Sequence, residues 1–157
     1  MEVGLYFEEY AEGWSIETAW APITDDDIAA FVQLARFNTP TYTNPAYVKA
    51  SYGGRMAPGM LVLSIAEGLA LNLGVTRRRG IFLMELTPKF KTPVFAGDTI
   101  ANRIRFKSKK ATSKPDRGVV VTEHQVVTAK GDVAIAYDSV RMIRTRQFVE
   151  APGAAAD

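Results

Sequence analysis

The sequence predicts an α+β domain in which one long apolar helix is wrapped by an antiparallel sheet. Three observations lead there. Residues 58–74 form an apolar run punctuated as a helix at both ends. Residues 79–145 read as four strand-like segments separated by turn residues. The 157-residue length fits one domain, and 47% hydrophobic residues suffice for a core. One buried helix and four or five strands make a two-layer architecture.

The elements follow in chain order. Trp14, Ile16, Thr18 and Trp20 alternate at period two, so residues 12–21 read as a strand. Thr24 is a good N-cap, Asp27 stands where a capping-box acid belongs, and Ile23 and Ile28 have staple spacing. The helix they start runs to about Arg36. Three aspartates at its start suit the macrodipole, and no histidine lies near to complete a metal site. Residues 37–59 are irregular, with a short turn of helix; their aromatic and proline content argues for an ordered, functional loop. Pro58 suits a first helical position and Gly74 a C-terminal cap. Between them Met60, Leu61, Val62, Leu63, Ile65, Leu69, Leu71 and Leu73 surround most of the cylinder, so the helix is expected to be buried on nearly all sides.

Strands are expected near 79–90, 98–110, 118–129 and 132–145. Ile100, Ile104 and Phe106 share one face, with Arg103 and Arg105 on the other. The turn Ala129-Lys130-Gly131-Asp132 joins the last two strands as a hairpin. The alternation slips near Tyr137 to Val140, which predicts a bulge there. The domain is expected to span 1–148, and the Pro-, Gly- and Ala-rich residues 149–157 to be a disordered tail.

Composition excludes several classes. A net charge of +2 gives no case for nucleic acid. The local cationic runs, Arg77 to Arg79 and Lys107 to Lys110, read as a solvated turn and a strand end; the alternative is a contact with the phosphates of coenzyme A or a carrier protein. The chain has no cysteine, which excludes a disulfide scaffold, a thiolate nucleophile and cysteine metal sites, and suits a reducing cytoplasm. The N-terminus lacks the basic start and apolar run of a signal peptide. The longest apolar stretch, Met60 to Leu73, is interrupted by Ser64, Glu67, Gly68 and Asn72, too short and too polar to span a bilayer. No metal and no cofactor is implied.

An ordered set of short words runs from about residue 12 to 146: Ile23 to Phe31, Thr39-Pro40, Asn44-Pro45-Ala46-Tyr47, Gly54 to Leu61, Pro93 to Thr99, and Gly131 to Ala134. Together they resemble the MaoC-like, or (R)-specific enoyl-CoA hydratase, branch of the hot-dog fold. The resemblance implies a homodimer or a heteromer with a second hot-dog chain, and a tunnel for an acyl thioester carried on coenzyme A or a carrier protein. It also implies a signature Gly-Asp-x-Asn-Pro-φ-His-x-Asp-Pro, whose aspartate and histidine hold the reacting water. Pro40 and Pro45 set the register in this chain. Phe37 then stands at the aspartate, Tyr42 at the histidine, Thr39 at the asparagine and Arg36 at the glycine.

These substitutions alter the chemistry to be expected. Hydration of an enoyl thioester needs a base and an acid with pKa values near the working pH. Phenylalanine moves no proton, and a free phenol ionises only near pH ~10, so a tyrosine there acts as a hydrogen-bond donor or acid. Tyr42 is the first catalytic candidate and Asn38 the second. Phe37, Thr39, Pro58, Gly59 and Met60 are the substrate-binding candidates, the last two because free amides at a helix start hold a developing oxyanion. His124, the sole histidine, reads as a strand-face residue. Three functions fit. The first is a MaoC-like dehydratase or hydratase with altered chemistry: dehydration, isomerisation or cyclisation of an acyl-thioester or polyketide-like substrate. The second is a non-catalytic hot-dog subunit whose partner carries the Asp–His pair. The third is a binding module for a small apolar ligand.

Overall fold

The computed structural model describes residues 4–148; the expected tail, 149–157, lies outside the described residues. Three long strands form the centre of the sheet: β5 (Thr99–Ala111), β6 (Arg117–Thr128) and β7 (Val133–Arg144), each antiparallel to the next. β1 (Ser15–Glu17) and β2 (Ala21–Pro22) pair with the outer side of β5, and β3 (Gly80–Leu86) and β4 (Lys89–Phe90) with the outer side of β7. The hairpin expected at 129–132 is present: Thr128 and Asp132 share a ladder bond of 2.9 Å, and Gly131 takes φ +93°.

Two expected strands are each broken in two. Residues 12–21 leave the ladder at Thr18, whose hydroxyl accepts from the Asn102 amide at 2.9 Å. Residues 79–90 break at Pro88, which has no N–H to give the ladder. The bulge expected at Tyr137–Val140 is also displaced. β7 keeps its alternation there, with Tyr137 and Ser139 both buried; the register shifts instead in β3, between Leu83 and Glu85, opposite Arg141 and Val140. Ser139 is a polar residue at an inward position, which made the pattern look broken.

α1 (Asp25–Leu34) starts as its sequence demands. Thr24 Oγ1 accepts from the Asp27 amide and Asp27 accepts from the Thr24 amide, both at 3.0 Å, while Ile23 and Ile28 are fully buried. Two short helices follow, α2 (Pro40–Thr43) and α3 (Pro45–Tyr52), and then α4 (Gly59–Asn72). Pro58 is the N-cap of α4, at φ −54° and ψ 130°, one place before the first helical position predicted for it. Leu61, Val62, Leu63 and Ala66 seal α4 onto the sheet with Ile100, Val126 and Ile135.

α4 is not buried all round, contrary to expectation. Met60 and Leu71 are each half exposed. Leu71 shares a cavity wall with Ile81 and Phe82, and Met60 shares one with Phe90, these three likewise exposed. One side of α4 and the edge row of the sheet therefore make an apolar surface facing water. Among the described residues no helix is long and apolar enough to cross a membrane, and no cluster of His, Cys, Asp or Glu is set to hold a metal.

Candidate active site

The loop between α1 and α4 folds into one wall of an open cavity. Arg36 ends α1 in the left-handed region, at φ 57°, a conformation glycine enters more freely. The chain then turns Phe37 back against Phe31, edge to face at 5.7 Å, and against Tyr42 at 5.4 Å. Tyr42 sits on α2, whose N-terminal carbonyl, that of Thr39, accepts from the Tyr42 and Thr43 amides at 2.9 and 3.0 Å. Asn44 caps α3 through Oδ1, which accepts from the Tyr47 amide at 3.0 Å. Arg55 ties the loop to the start of α1 by an ion pair with Asp25 at 2.9 Å.

The opposite wall is the start of α4 and the segment after β4. Pro58 is fully buried, and its carbonyl accepts from the Leu61 and Val62 amides at 2.9 and 3.2 Å. The Gly59 and Met60 amides, by contrast, meet no acceptor among the described residues. A Cβ at Gly59 would lie 2.8 Å from the Phe90 ring, so a side chain there needs that exposed ring to shift.

Phe37, Tyr42, Gly59 and Met60 line this one cavity of about 460 Å³, together with Val62 and Ile135 from the core. Asn38, Thr39 and Pro58 do not reach its wall; Asn38 and Thr39 face solvent and Pro58 lies beneath α4. Sequence reasoning missed Phe90, Lys91, Thr92 and Pro93, which form the far wall. Nothing in a short strand ending in Lys-Thr-Pro marks it as a site. Among the described residues Lys91 is the only charged side chain on the wall, and none of them brings a carboxylate or an imidazole to it.

His124 is a strand-face residue, as expected, on the inward face of β6. It is buried, stacked on the Tyr137 ring at 4.4 Å, with Nε2 2.8 Å from Thr122 Oγ1 and Nδ1 3.1 Å from Asn102 Nδ2. Burial, helped by the Arg141 charge, pushes its pKa down to about 3. The unfolded imidazole protonates near pH ~6.5, so between these values the unfolded state binds the extra proton and stability falls with pH. The carboxylates whose pKa values are lowered, Asp27 and Asp98 among them, lose their stabilisation mainly below that window. Urea unfolding should therefore lose about 1 kcal/mol per pH unit between pH ~6 and ~4.5, and His124→Gln should flatten that slope. An unchanged slope in the variant would refute this assignment.

Three members of the cationic runs help to hold the fold. Lys107 pairs with Asp138, and Lys109 donates to the carbonyls of Phe7, Glu8 and Tyr10, at 2.7 Å to the last. Arg79 stacks on Tyr6 at 4.0 Å.

Residues 9–128 match the MaoC like domain. Over 113 residues the chain is 32% identical to Protein MaoC of Klebsiella aerogenes, covering 71% of this chain and 33% of that protein. The chain thus spans about a third of the length of that relative. A monoamine oxidase regulatory protein from Archaeoglobus superposes with a TM-score of 0.79 at 28% identity, over 90% of this chain and 95% of that one. The unliganded R-hydratase PhaJ1 of Pseudomonas aeruginosa superposes at 0.75 and 18% identity, over 98% and 97%, a likeness of fold alone.

Proposed function

We propose, from the premise that this chain belongs to the MaoC-like domain family, that it is a hydratase- or dehydratase-type enzyme for an acyl thioester, working by carbonyl polarisation. One observation carries the reading: Tyr42, Gly59 and Met60 line the same apolar cavity, and the amides of the last two meet no acceptor among the described residues. In this reading the thioester oxygen sits at the two amides, where negative charge gathers as C2 becomes enolate-like. In dehydration the Tyr42 hydroxyl gives its proton to the departing C3 oxygen, which leaves as water, and the C2 proton returns to the Tyr42 oxygen; hydration is the reverse, and in an isomerisation or a cyclisation the same hydroxyl donates to a second carbonyl. Phe37 keeps that end of the cavity dry and braces the Tyr42 ring. Lys91 supplies a compensating positive charge at the mouth.

Turnover of crotonyl-CoA, followed through its enoyl absorbance, tests this. Tyr42→Phe should lower kcat by about a hundredfold while leaving the melting temperature unchanged, because the ring contact with Phe37 survives. An unaffected kcat would remove Tyr42 from the mechanism.

A second reading is favoured by a specific observation. Among the described residues the wall lacks a base, and the edge strand β3 exposes Ile81, Phe82, Leu83 and Met84, the first two sharing a wall with Leu71 of α4. A long apolar edge is a template for pairing with another chain. A second hot-dog chain joined there would cover that surface, and one with an Asp–His pair would supply the missing base. Sedimentation should give the mass of a dimer, shifted to monomer by Leu83→Lys. No turnover of any thioester by the isolated chain, with turnover on adding such a partner, selects this second reading. Binding of a non-thioester apolar ligand alone selects a third, a binding module.

A further inference from the structure

The Lys91 ammonium, alone in charge on the wall of the first cavity, meets no partner among the described residues. Other cations are engaged in the fold. Lys107 pairs with Asp138, Lys130 with Asp98, and Lys109 donates to three carbonyls. Arg141 pairs with Glu67, which also accepts from the Tyr137 hydroxyl at 2.7 Å. The Thr92 hydroxyl, next to Lys91 on the same wall, likewise meets no partner among the described residues.

Two consecutive residues reach one wall because the strand stops there. A continuing strand would send neighbouring side chains to opposite faces. β4 instead ends at Phe90, and the Lys91 and Thr92 amides both donate to the Ala134 carbonyl, at 2.8 and 3.3 Å. The chain beyond this bend is stitched to the approach to α4. The Ala57 amide donates to the Val94 carbonyl at 2.8 Å, and the Ala96 amide to the Arg55 carbonyl at 2.9 Å. The backbone that carries Lys91 and Thr92 is thereby tied to the backbone that leads into Gly59 and Met60. No residue of β3 lines this cavity, so its space is not the surface that a chain paired along β3 would cover.

Apart from Tyr42, the rest of the wall is apolar. The arrangement complements a ligand with a carbonyl for the helix start and an anion for Lys91 and Thr92. An ammonium and a hydroxyl together suit a carboxylate. The phosphates of coenzyme A fit less well, because the whole pantetheine arm separates them from the thioester, whereas Gly59 and Lys91 line one cavity of about 460 Å³. A carboxylate a few carbons along the acyl chain stays within that space.

We propose that the acyl group carries a second carboxylate, so that the substrate is the monothioester of a short dicarboxylic acid, selected by Lys91 and Thr92. This rests on the acyl-thioester reading above. The thioester oxygen lies at the Gly59 and Met60 amides, C3 lies by Tyr42, and the far carboxylate accepts from the Lys91 ammonium and the Thr92 hydroxyl. The four-carbon lysine stem is flexible, so the acid is selected by its charge more than by its exact length.

Saturated thioesters undergo no hydration, so their binding reads recognition apart from chemistry. Calorimetry should find glutaryl-pantetheine bound about tenfold more tightly than pentanoyl-pantetheine, with added salt narrowing the difference. Lys91→Met, at an exposed position, should bring the two affinities together, and Lys91→Arg should restore the preference. Pantetheine lacks the phosphates of coenzyme A, so pentanoyl-CoA against pentanoyl-pantetheine reads those phosphates separately. Equal binding of the two pantetheine thioesters, or a preference that survives Lys91→Met, would overturn the proposal. So would a loss in Lys91→Met confined to pentanoyl-CoA, which would make the lysine a phosphate contact. If no thioester binds at all, the acyl-thioester reading itself falls, and this proposal with it.

Discussion

Replacing Gly59 by proline lowers kcat/KM for an acyl thioester by about 10²–10³-fold, the loss of one oxyanion donor. Proline deletes the Gly59 N–H and little else. The first helical position tolerates proline because its N–H has no helical partner. The residue before a proline must be extended, and Pro58 already is, at ψ 130°. The added ring carbon meets Phe90, 2.8 Å from an ideal Cβ, but that ring is half exposed and free to swing. Gly59→Ala is the control, since it adds the same Cβ and keeps the N–H. The account expects alanine to lose far less than proline. Equal losses would mean that the space above Gly59, rather than its amide, matters.

Arg141→Met destabilises the fold by about 2–3 kcal/mol. Breaking a fully buried ion pair costs about 3–5 kcal/mol because the remaining charge is stranded. Glu67 and Arg141 keep 13% and 17% of their side-chain surface, so water softens the penalty. Adding Glu67→Gln to Arg141→Met should recover most of the loss, because the stranded charge is gone and Tyr137 keeps its acceptor. Urea unfolding of the two variants measures this. A double variant no more stable than the single one would show that the pair holds the fold through packing, not charge.

The parts of the fold that rest on neighbours in sequence were readable from it. Thr24, Asp27 and the Ile23–Ile28 pair start α1 by local bonds, and the Lys130-Gly131 turn closes its hairpin by local geometry. The parts that failed depend on distant partners. The strand at 12–21 breaks because Thr18 bonds Asn102, 84 residues away. The helix at 59–72 is apolar on most sides, so its residues do not say which side the sheet leaves open. Asn102, His124 and Tyr137 each look like ordinary polar strand residues; only the cross-strand register, which sets His124 beside Tyr137, brings them together.

The candidate site divides the same way. Tyr42, Phe37, Gly59 and Met60 stand in recognisable words, and they share a cavity. Asn38 and Thr39 stand in the same word but face solvent, because the left-handed turn at Arg36 and the start of α2 point them outward. Lys91 and Thr92 belong to no word, and reach the wall because β4 pairs with β7 at Phe90 and Ile135.

The central claim is that the amides at the start of α4 polarise a thioester carbonyl. Its most direct measurement is the infrared stretch of carbonyl-labelled crotonyl-CoA bound to the protein. The account predicts a band at lower frequency than in water, returning toward the solution value in Gly59→Pro and unmoved in Gly59→Ala. A bound thioester whose band stays at the solution value would contradict it.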